Sequence, residues 1–180
     1  TQAPTAGSMI LAGVMLKLGA YGFIRLVIPL FPAQATATAG ILAILGMLSI
    51  ILGAYAAFGQ WDFKRLVAYS SVNHMGFVVL GIAVMAYAYG LPGEVEGLQY
   101  SAIIATNGAV LQMFNHGLSA AGMFFLVGVI YSRTHTRDLK EYGGIWTVMP
   151  VYGMILIFTS MASLGLPGLN GFVGEFMVIR

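Results

Sequence analysis

The sequence predicts an all-α polytopic membrane protein with five transmembrane helices, the last of which is broken. Of its 180 residues, 59% are hydrophobic and 8% are charged, and the mean hydropathy is +0.88. A soluble domain carries about 25% charged residues, so this composition does not fit a surface in water. Five apolar segments have the ~20 residues that one bilayer crossing needs.

The five predicted spans cover residues 8–30, 38–58, 65–88, 100–132 and 147–179. The fifth contains LGLPGLNG, in which a proline removes a helix donor and the glycines resist unwinding only weakly. We therefore expect a broken helix, and an ordinary proline kink is the alternative. Non-helical backbone at this depth lies inside protein or along a watery cavity, and broken helices are frequent at transporter ion sites.

The charged loops predict an orientation. With five crossings, the N-terminus and the loops at 59–66 and 133–142 lie on one side of the membrane. These loops carry the basic residues Lys64, Arg65, Arg133, Arg137 and Lys140. The loop with Glu94 and Glu96 lies on the other side, so the basic loops face the cytoplasm or its equivalent.

Composition also excludes several functions. The absence of cysteine excludes disulfides, thiolate metal sites and iron–sulfur ligation, and the three histidines lack the spacing of a metal site. No cofactor site, nucleophile elbow or phosphate loop is visible. A net charge of +2 gives no reason to expect a nucleic-acid partner. The chain begins without methionine or a signal peptide and ends after an apolar run, and we expect an internal segment of a longer membrane protein.

The first span carries Lys17 near its middle. An ammonium at membrane depth costs at least ~2.5–3.5 kcal/mol, so such a residue is a functional candidate. The alternative is a lysine that snorkels to the headgroups or neutralises a carboxylate. Arg25 lies eight residues further along, near the end of the span. The two are expected to share one face and to form a basic stripe inside the bundle.

Three more ionisable residues lie within the apolar spans. His74 follows Ser70 and Asn73, and His116 has Gln112 one turn before it and Ser119 one turn after it. A histidine in an apolar core is commonly a satisfied hydrogen-bonding group, but imidazole also titrates near neutrality and transfers protons readily. Glu175 follows the broken segment, and it is either part of the buried set or a charge at the helix end. Together, Lys17, His74, His116 and Glu175 are the candidate proton relay.

Four long motifs resemble the antiporter-like subunits of respiratory complex I, especially the subunit 4 (chain M) type. They are TQAPTAGSMILAGVMLKLGAYGFIR, FKRLVAYSSVNHMGF, LQMFNHGLSAAGMFF and LGLPGLNGFVGEF, at residues 1–25, 63–77, 111–125 and 164–176. Such subunits have two inverted five-helix repeats. The resemblance implies that residues 1–180 are a single membrane domain, the second repeat, which corresponds to helices eight to twelve.

The resemblance also implies residue roles. Lys17 matches the family's eighth-helix lysine, which links two half-channels, and His74 and His116 match histidines of the tenth and eleventh helices. Glu175 matches the ionisable residue of the broken twelfth helix, where the subunit 4 type has glutamate and its sister subunits usually have lysine. The family's fifth-helix glutamate and seventh-helix lysine have no counterpart here, so the resemblance implies only part of a proton path.

The implied function is proton translocation in a complex I-like NAD(P)H:quinone oxidoreductase, a translocase whose redox chemistry takes place in other subunits. The resemblance places NADH or another donor, FMN, iron–sulfur clusters and quinone in those partner subunits, and none in this chain. Expected partners are further membrane and peripheral subunits, the bilayer and protons. The expected location is a bacterial inner membrane or an organellar energy-transducing membrane. The alternatives are a subunit of a cation/proton antiporter or membrane-bound hydrogenase, and a purely structural membrane scaffold.

Overall fold

The computed structural model describes residues 3–90 and 96–180, and these residues form an almost entirely helical bundle. The helices, in chain order, are α1 Thr5–Leu30, α2 Pro32–Phe58, α3 Phe63–Tyr89, α4 Glu96–Thr134, α5 Ile145–Val148, α6 Pro150–Ser163 and α7 Asn170–Ile179. A short 3₁₀ turn, Leu139–Glu141, follows α4. The predicted all-α fold is confirmed.

Helices α1 to α4 are each long and apolar enough to cross a membrane, whereas the fifth predicted span consists of two shorter apolar helices, α6 and α7. Helix α2 begins at Pro32 rather than near residue 38, because a proline in the first turn needs no backbone donor. Glu94 of the predicted acidic loop lies outside the described residues, and only the backbone of Glu96 is described.

Helix α1 contains two π-helical segments, Leu11–Met15 and Phe23–Val27. A π turn adds a residue to the helical repeat, so the residues after it are rotated by about 100° relative to a regular α-helix. Lys17 is half-buried, whereas Arg25 is exposed on the surface of this chain. The predicted basic stripe of Lys17 and Arg25 inside the bundle is therefore wrong, because the spacing argument assumed an unbroken α-helix.

Helices α2 and α3 form the most extensively packed pair among the described helices. Gly46 and Gly53 of α2 are buried, and a Cβ atom at Gly53 would lie 2.8 Å from the backbone nitrogen of Asn73. Small residues permit this kind of close approach between membrane helices. This close pairing fixes the position of the polar segment of α3, which contains His74, relative to α2.

The two basic loops contact each other at one end of the bundle. The Phe63 N–H donates to the Arg137 carbonyl at 2.9 Å, and the Leu139 N–H donates to the Trp61 carbonyl at 2.8 Å. We call this end, formed by residues 59–66 and 133–142, the basic face. The contacts agree with the predicted placement of both loops on the same side.

The break between α6 and α7 is confirmed at residues 164–169. Gly165 and Gly168 have φ values of +68° and +94°, in the left-handed region that L side chains rarely adopt. Pro167 lies between them and cannot donate a backbone hydrogen bond. This segment ends α6 at Ser163 and lets α7 approach α4, with Glu175 facing the bundle interior.

Candidate functional site

Lys17 contacts His116 across the α1–α4 interface. Its Nζ lies 2.7 Å from Nδ1 of His116, and it also donates to the Ala12 carbonyl within the first π segment of α1. His116 is 3% exposed. The two side chains therefore form a partly buried nitrogen–nitrogen contact at hydrogen-bond distance, between two groups that both can accept a proton.

His74 and Glu175 form the second contact, between α3 and α7. Nδ1 of His74 lies 2.8 Å from Oε1 of Glu175, at ion-pair distance. Both side chains are largely shielded by protein, so Glu175 is part of the buried set in this structure and not a surface charge at a helix end. A charge-assisted hydrogen bond of this length is a strong contact and fixes which histidine nitrogen faces the carboxylate.

The two pairs meet at the histidines. The His74 and His116 ring centroids are 5.2 Å apart, with a tilt of 36° between the ring planes. The contacts thus run in the order Lys17, His116, His74, Glu175. The sequence predicted these four residues as a path along Glu175, His116, His74 and Lys17, but the two histidines stand in the opposite order in the structure, because neighbours across helices depend on how each helix is rotated.

Two buried amides complete the site, and sequence reasoning did not assign their contacts. Gln112 is 1% exposed and donates through Nε2 to Oε1 of Glu175 at 2.8 Å. Asn115 donates to the Asn170 carbonyl at 2.6 Å, which ties α4 to the first residue of α7. The predicted polar residues do lie beside His116 on α4, but Gln112 hydrogen-bonds to Glu175 and not to His116.

A cavity of about 510 Å³ opens beside the His74–Glu175 pair. Its polar lining consists of Ser70, Asn73, His74, Ser160, Ser163 and Glu175. The Asn73 Oδ1 atom is buried and has no hydrogen-bond partner within the described protein atoms. Most of the cavity wall is apolar, but its polar side chains and the unsatisfied acceptor fit ordered water, which buried polar groups commonly bind.

The fold and the site define a class of protein: a polytopic membrane bundle with a series of titratable side chains in contact with one another in its interior. Ionisable groups inside a membrane characteristically form proton or ion pathways. A broken helix beside these side chains is a further feature of ion-translocating membrane proteins.

Comparison with known proteins identifies the family. The family model described as "NADH:quinone oxidoreductase/Mrp antiporter, TM" matches residues 1–93 and 95–180. The chain belongs to this transmembrane family.

Several curated relatives and one solved structure are similar to the chain. It is 49% identical to NADH-quinone oxidoreductase subunit M of Pseudomonas aeruginosa, over 99% of this chain and 32% of the relative. It is 47% identical to subunit M of Escherichia coli, with coverage of 99% and 32%. It is 50% identical to an NAD(P)H-quinone oxidoreductase chain 4 of Microcystis aeruginosa, over 95% of this chain and 28% of the relative. The structure of respiratory complex I from Thermus thermophilus with bound NADH contains a chain that matches with a TM-score of 0.80 and 32% identity, over 92% of this chain and 32% of that chain.

These matches confirm the resemblance of the four motifs to antiporter-like subunits of complex I, and of the subunit 4 type in particular. The chain spans about a third of the length of the relatives that it matches, 32% for the first of them.

Proposed function

We propose that this chain conducts protons within the membrane arm of a complex I-like NAD(P)H:quinone oxidoreductase. The main support for the proposal is the series of side-chain contacts from Lys17 through His116 and His74 to Glu175. The names of the relatives supply the kind of assembly, and we propose that residues 1–180 act as the second antiporter-like repeat within it.

The geometry supports proton movement between Lys17 and Glu175 through the two histidines. At each end of this series, a histidine nitrogen lies within hydrogen-bond distance of its partner. Nδ1 of His116 is 2.7 Å from Lys17 Nζ, and Nδ1 of His74 is 2.8 Å from Glu175 Oε1. The two imidazole rings lie against each other, with centroids 5.2 Å apart, and the proposed transfer between them uses water at their free nitrogen atoms. Imidazole accepts a proton on one nitrogen and releases one from the other, so the two histidines connect the lysine to the carboxylate.

The partners follow from the assembly. The proposed complex carries NADH or another electron donor, FMN, iron–sulfur clusters and quinone in subunits other than this one. Quinone reduction there changes the protonation of Glu175, His116, His74 and Lys17 through the neighbouring membrane subunits. The proposed location is an energy-transducing membrane, a bacterial inner membrane or its organellar equivalent, with the basic face towards the cytoplasm or matrix.

The second candidate is a cation/proton antiporter subunit, because the family's description includes Mrp antiporters. Such a subunit needs no electron donor. A co-purified arm with iron–sulfur clusters and quinone reductase activity supports the first candidate, whereas sodium-dependent proton exchange without such an arm supports the second.

Lys17→Met in the assembled complex tests the proposal. We expect the complex to assemble and reduce quinone when uncoupled, but to lose proton translocation through this subunit, because a thioether cannot carry a proton. Arg25→Met is the matched control, since it removes an exposed charge from the same helix. Acidification driven by NADH in sealed vesicles is the measurement.

Unchanged translocation in the Lys17→Met complex would rule out a relay through Lys17. The structural scaffold makes that prediction for apolar substitutions at Lys17, His74 and His116 alike. Loss of translocation in the Arg25→Met complex as well would indicate a general effect of charge removal from α1.

A further inference from the structure

Asn115 and Asn170 form a reciprocal pair between α4 and α7. The Asn115 side chain donates to the Asn170 carbonyl at 2.6 Å, and the Asn170 side chain donates to the Asn115 carbonyl at 3.4 Å. Asn115 is 5% exposed, so its amide is almost completely buried. A hydrogen bond from a buried amide to a carbonyl is limited in distance and angle, and this pair therefore favours one relative orientation of the two helices.

The pair lies directly after the break in the last span. Asn170 is the first residue of α7, and residues 164–169 separate it from the end of α6. Gly165 and Gly168 have left-handed φ values there, and Pro167 has no backbone donor. Because the helical hydrogen-bond ladder is interrupted in this segment, the orientation of α7 depends on its contacts with other helices.

Further along its length, α7 packs on α4 through glycines. A Cβ atom at Gly108 would lie 3.0 Å from the Gly174 carbonyl oxygen, and a Cβ atom at Gly174 would lie 3.0 Å from the Gln112 Cα. Glycines bring the two backbones close, but they have no side chain that would stop α7 from turning about its own axis. Between the described side chains of α4 and backbone or side-chain atoms of α7, the hydrogen bonds are those of Gln112 and of the asparagine pair.

The rotation of α7 determines where Glu175 points. Glu175 follows Asn170 by five residues, about one and a half helical turns. On α4, Asn115 follows Gln112 by three residues, so the two contacts lie side by side along antiparallel helices. The Glu175 carboxylate contacts His74 of α3 at 2.8 Å, and a turn of α7 about its axis would break this contact.

We propose that Asn115 is a positioning residue, which together with Asn170 sets the rotation of α7 and so keeps Glu175 in contact with His74. The inference rests on the proposed function of the relay and identifies what holds its carboxylate end in place. Asn115 does not carry a proton itself, because an amide does not titrate at neutral pH. A general packing role makes a different prediction, in which any lost contact between α4 and the last span has the same effect.

The position of the carboxylate is tested in the purified resting complex with dicyclohexylcarbodiimide, an apolar reagent that modifies carboxyl groups. Mass spectrometry measures the rate at which Glu175 is modified, and Glu175→Gln is the blank. We expect Asn115→Leu to raise this rate severalfold, because His74 and Gln112 no longer hold the carboxyl group. Asn170→Leu should give a smaller rise, since it removes the longer hydrogen bond of the pair.

Two control variants separate positioning from loss of stability. Asn107→Leu makes the same substitution at an exposed position of α4. Tyr152→Phe removes a buried contact of the same kind, since the Tyr152 hydroxyl donates to the Leu126 carbonyl at 3.0 Å and ties α6 to α4. We expect Tyr152→Phe to lower the thermal stability of the complex about as much as Asn115→Leu does. Neither control should change the rate at which Glu175 is modified.

Proton translocation in sealed vesicles is the second measurement. Asn115→Leu should slow translocation severalfold, with uncoupled quinone reduction unchanged. Adding Gln112→Met to Asn115→Leu should slow it by less than the product of the two single effects, since both substitutions act on Glu175. Adding Gln112→Met to Tyr152→Phe should give the full product.

An equal rate of Glu175 modification in the Asn115→Leu and unsubstituted complexes would overturn the proposal, and so would an equal rise in the Tyr152→Phe complex. If Asn115→Leu does not assemble, Asn170→Leu decides, because it removes a hydrogen bond of the same pair from the other helix. Modification requires no turnover. Unchanged translocation by Lys17→Met would therefore reject the relay, whereas unchanged modification rejects only the positioning role.

Discussion

At the scale of single residues, His116 joins the two halves of the site. It contacts Lys17 directly and lies against the His74 ring, and it is almost completely buried. The rarity of ionisable residues in membrane spans made these four residues candidates from the sequence, and the structure brings them into contact. Their pairing was not predictable, because it depends on the rotation of α1, α3, α4 and α7 relative to one another. The first π segment of α1 contributes to this rotation and has no clear sequence signal.

A second prediction at the residue scale concerns the hydrogen bond from Gln112 to Glu175. Gln112→Met keeps the approximate volume but removes the donor to Glu175, and a hydrogen bond to a charged group contributes about 1.5–3 kcal/mol. If losing this hydrogen bond raises the barrier of the rate-limiting step by that amount, the rate of proton translocation should fall by at least about tenfold. Vesicle acidification measures the rate, and Gln99→Met, an exposed glutamine on the same helix, is the control.

Equal translocation by the Gln112→Met and Gln99→Met complexes would show that the amide does not position Glu175. The contact from Gln112 Nε2 to Glu175 Oε1 is the side-chain hydrogen bond that the structure shows for this glutamine, so it is the contact that the substitution is designed to remove.

At the scale of helices, the break between α6 and α7 positions Glu175. Apolar length alone predicted each crossing, and the Gly–Pro–Gly pattern predicted where the last one breaks. The sequence could not show that Gly165 approaches the glutamate. A Cβ at Gly165 would lie 2.9 Å from Glu175 Oε2, whereas a Cβ at Gly168 would meet nothing within 4 Å.

Alanine at these two glycines separates backbone strain from contact with the site. Both positions have positive φ, so each substitution should destabilise the protein by about 1–3 kcal/mol. Only Gly165→Ala should also displace the Glu175 carboxylate and slow translocation. Thermal unfolding of the purified complex measures the first effect, and vesicle acidification the second. Slower translocation in both variants to the same extent would contradict a specific role for the Gly165 contact.

At the scale of the whole molecule, the bundle brings residues from four helices that are distant in sequence, α1, α3, α4 and α7, together at one interior site. The all-helical fold and the adjacency of the two basic loops followed from composition, span length and charge. The inward stripe of Lys17 and Arg25 was wrong, because the second π segment, which contains Arg25, changes the helical repeat between the two residues. The burial of Lys64 was also missed, since a lysine beside a charged loop has the sequence signature of an exposed residue.

The whole account depends on a proton path that passes through His116. His116→Gln tests this most directly, because glutamine can still hydrogen-bond to Lys17 but cannot take up and release a proton at neutral pH. The measurement is the ratio of protons translocated to quinone reduced by the complex in sealed vesicles. The account predicts that this ratio falls to the value of the Lys17→Met complex while the complex remains assembled. A ratio equal to that of the unsubstituted complex would contradict it.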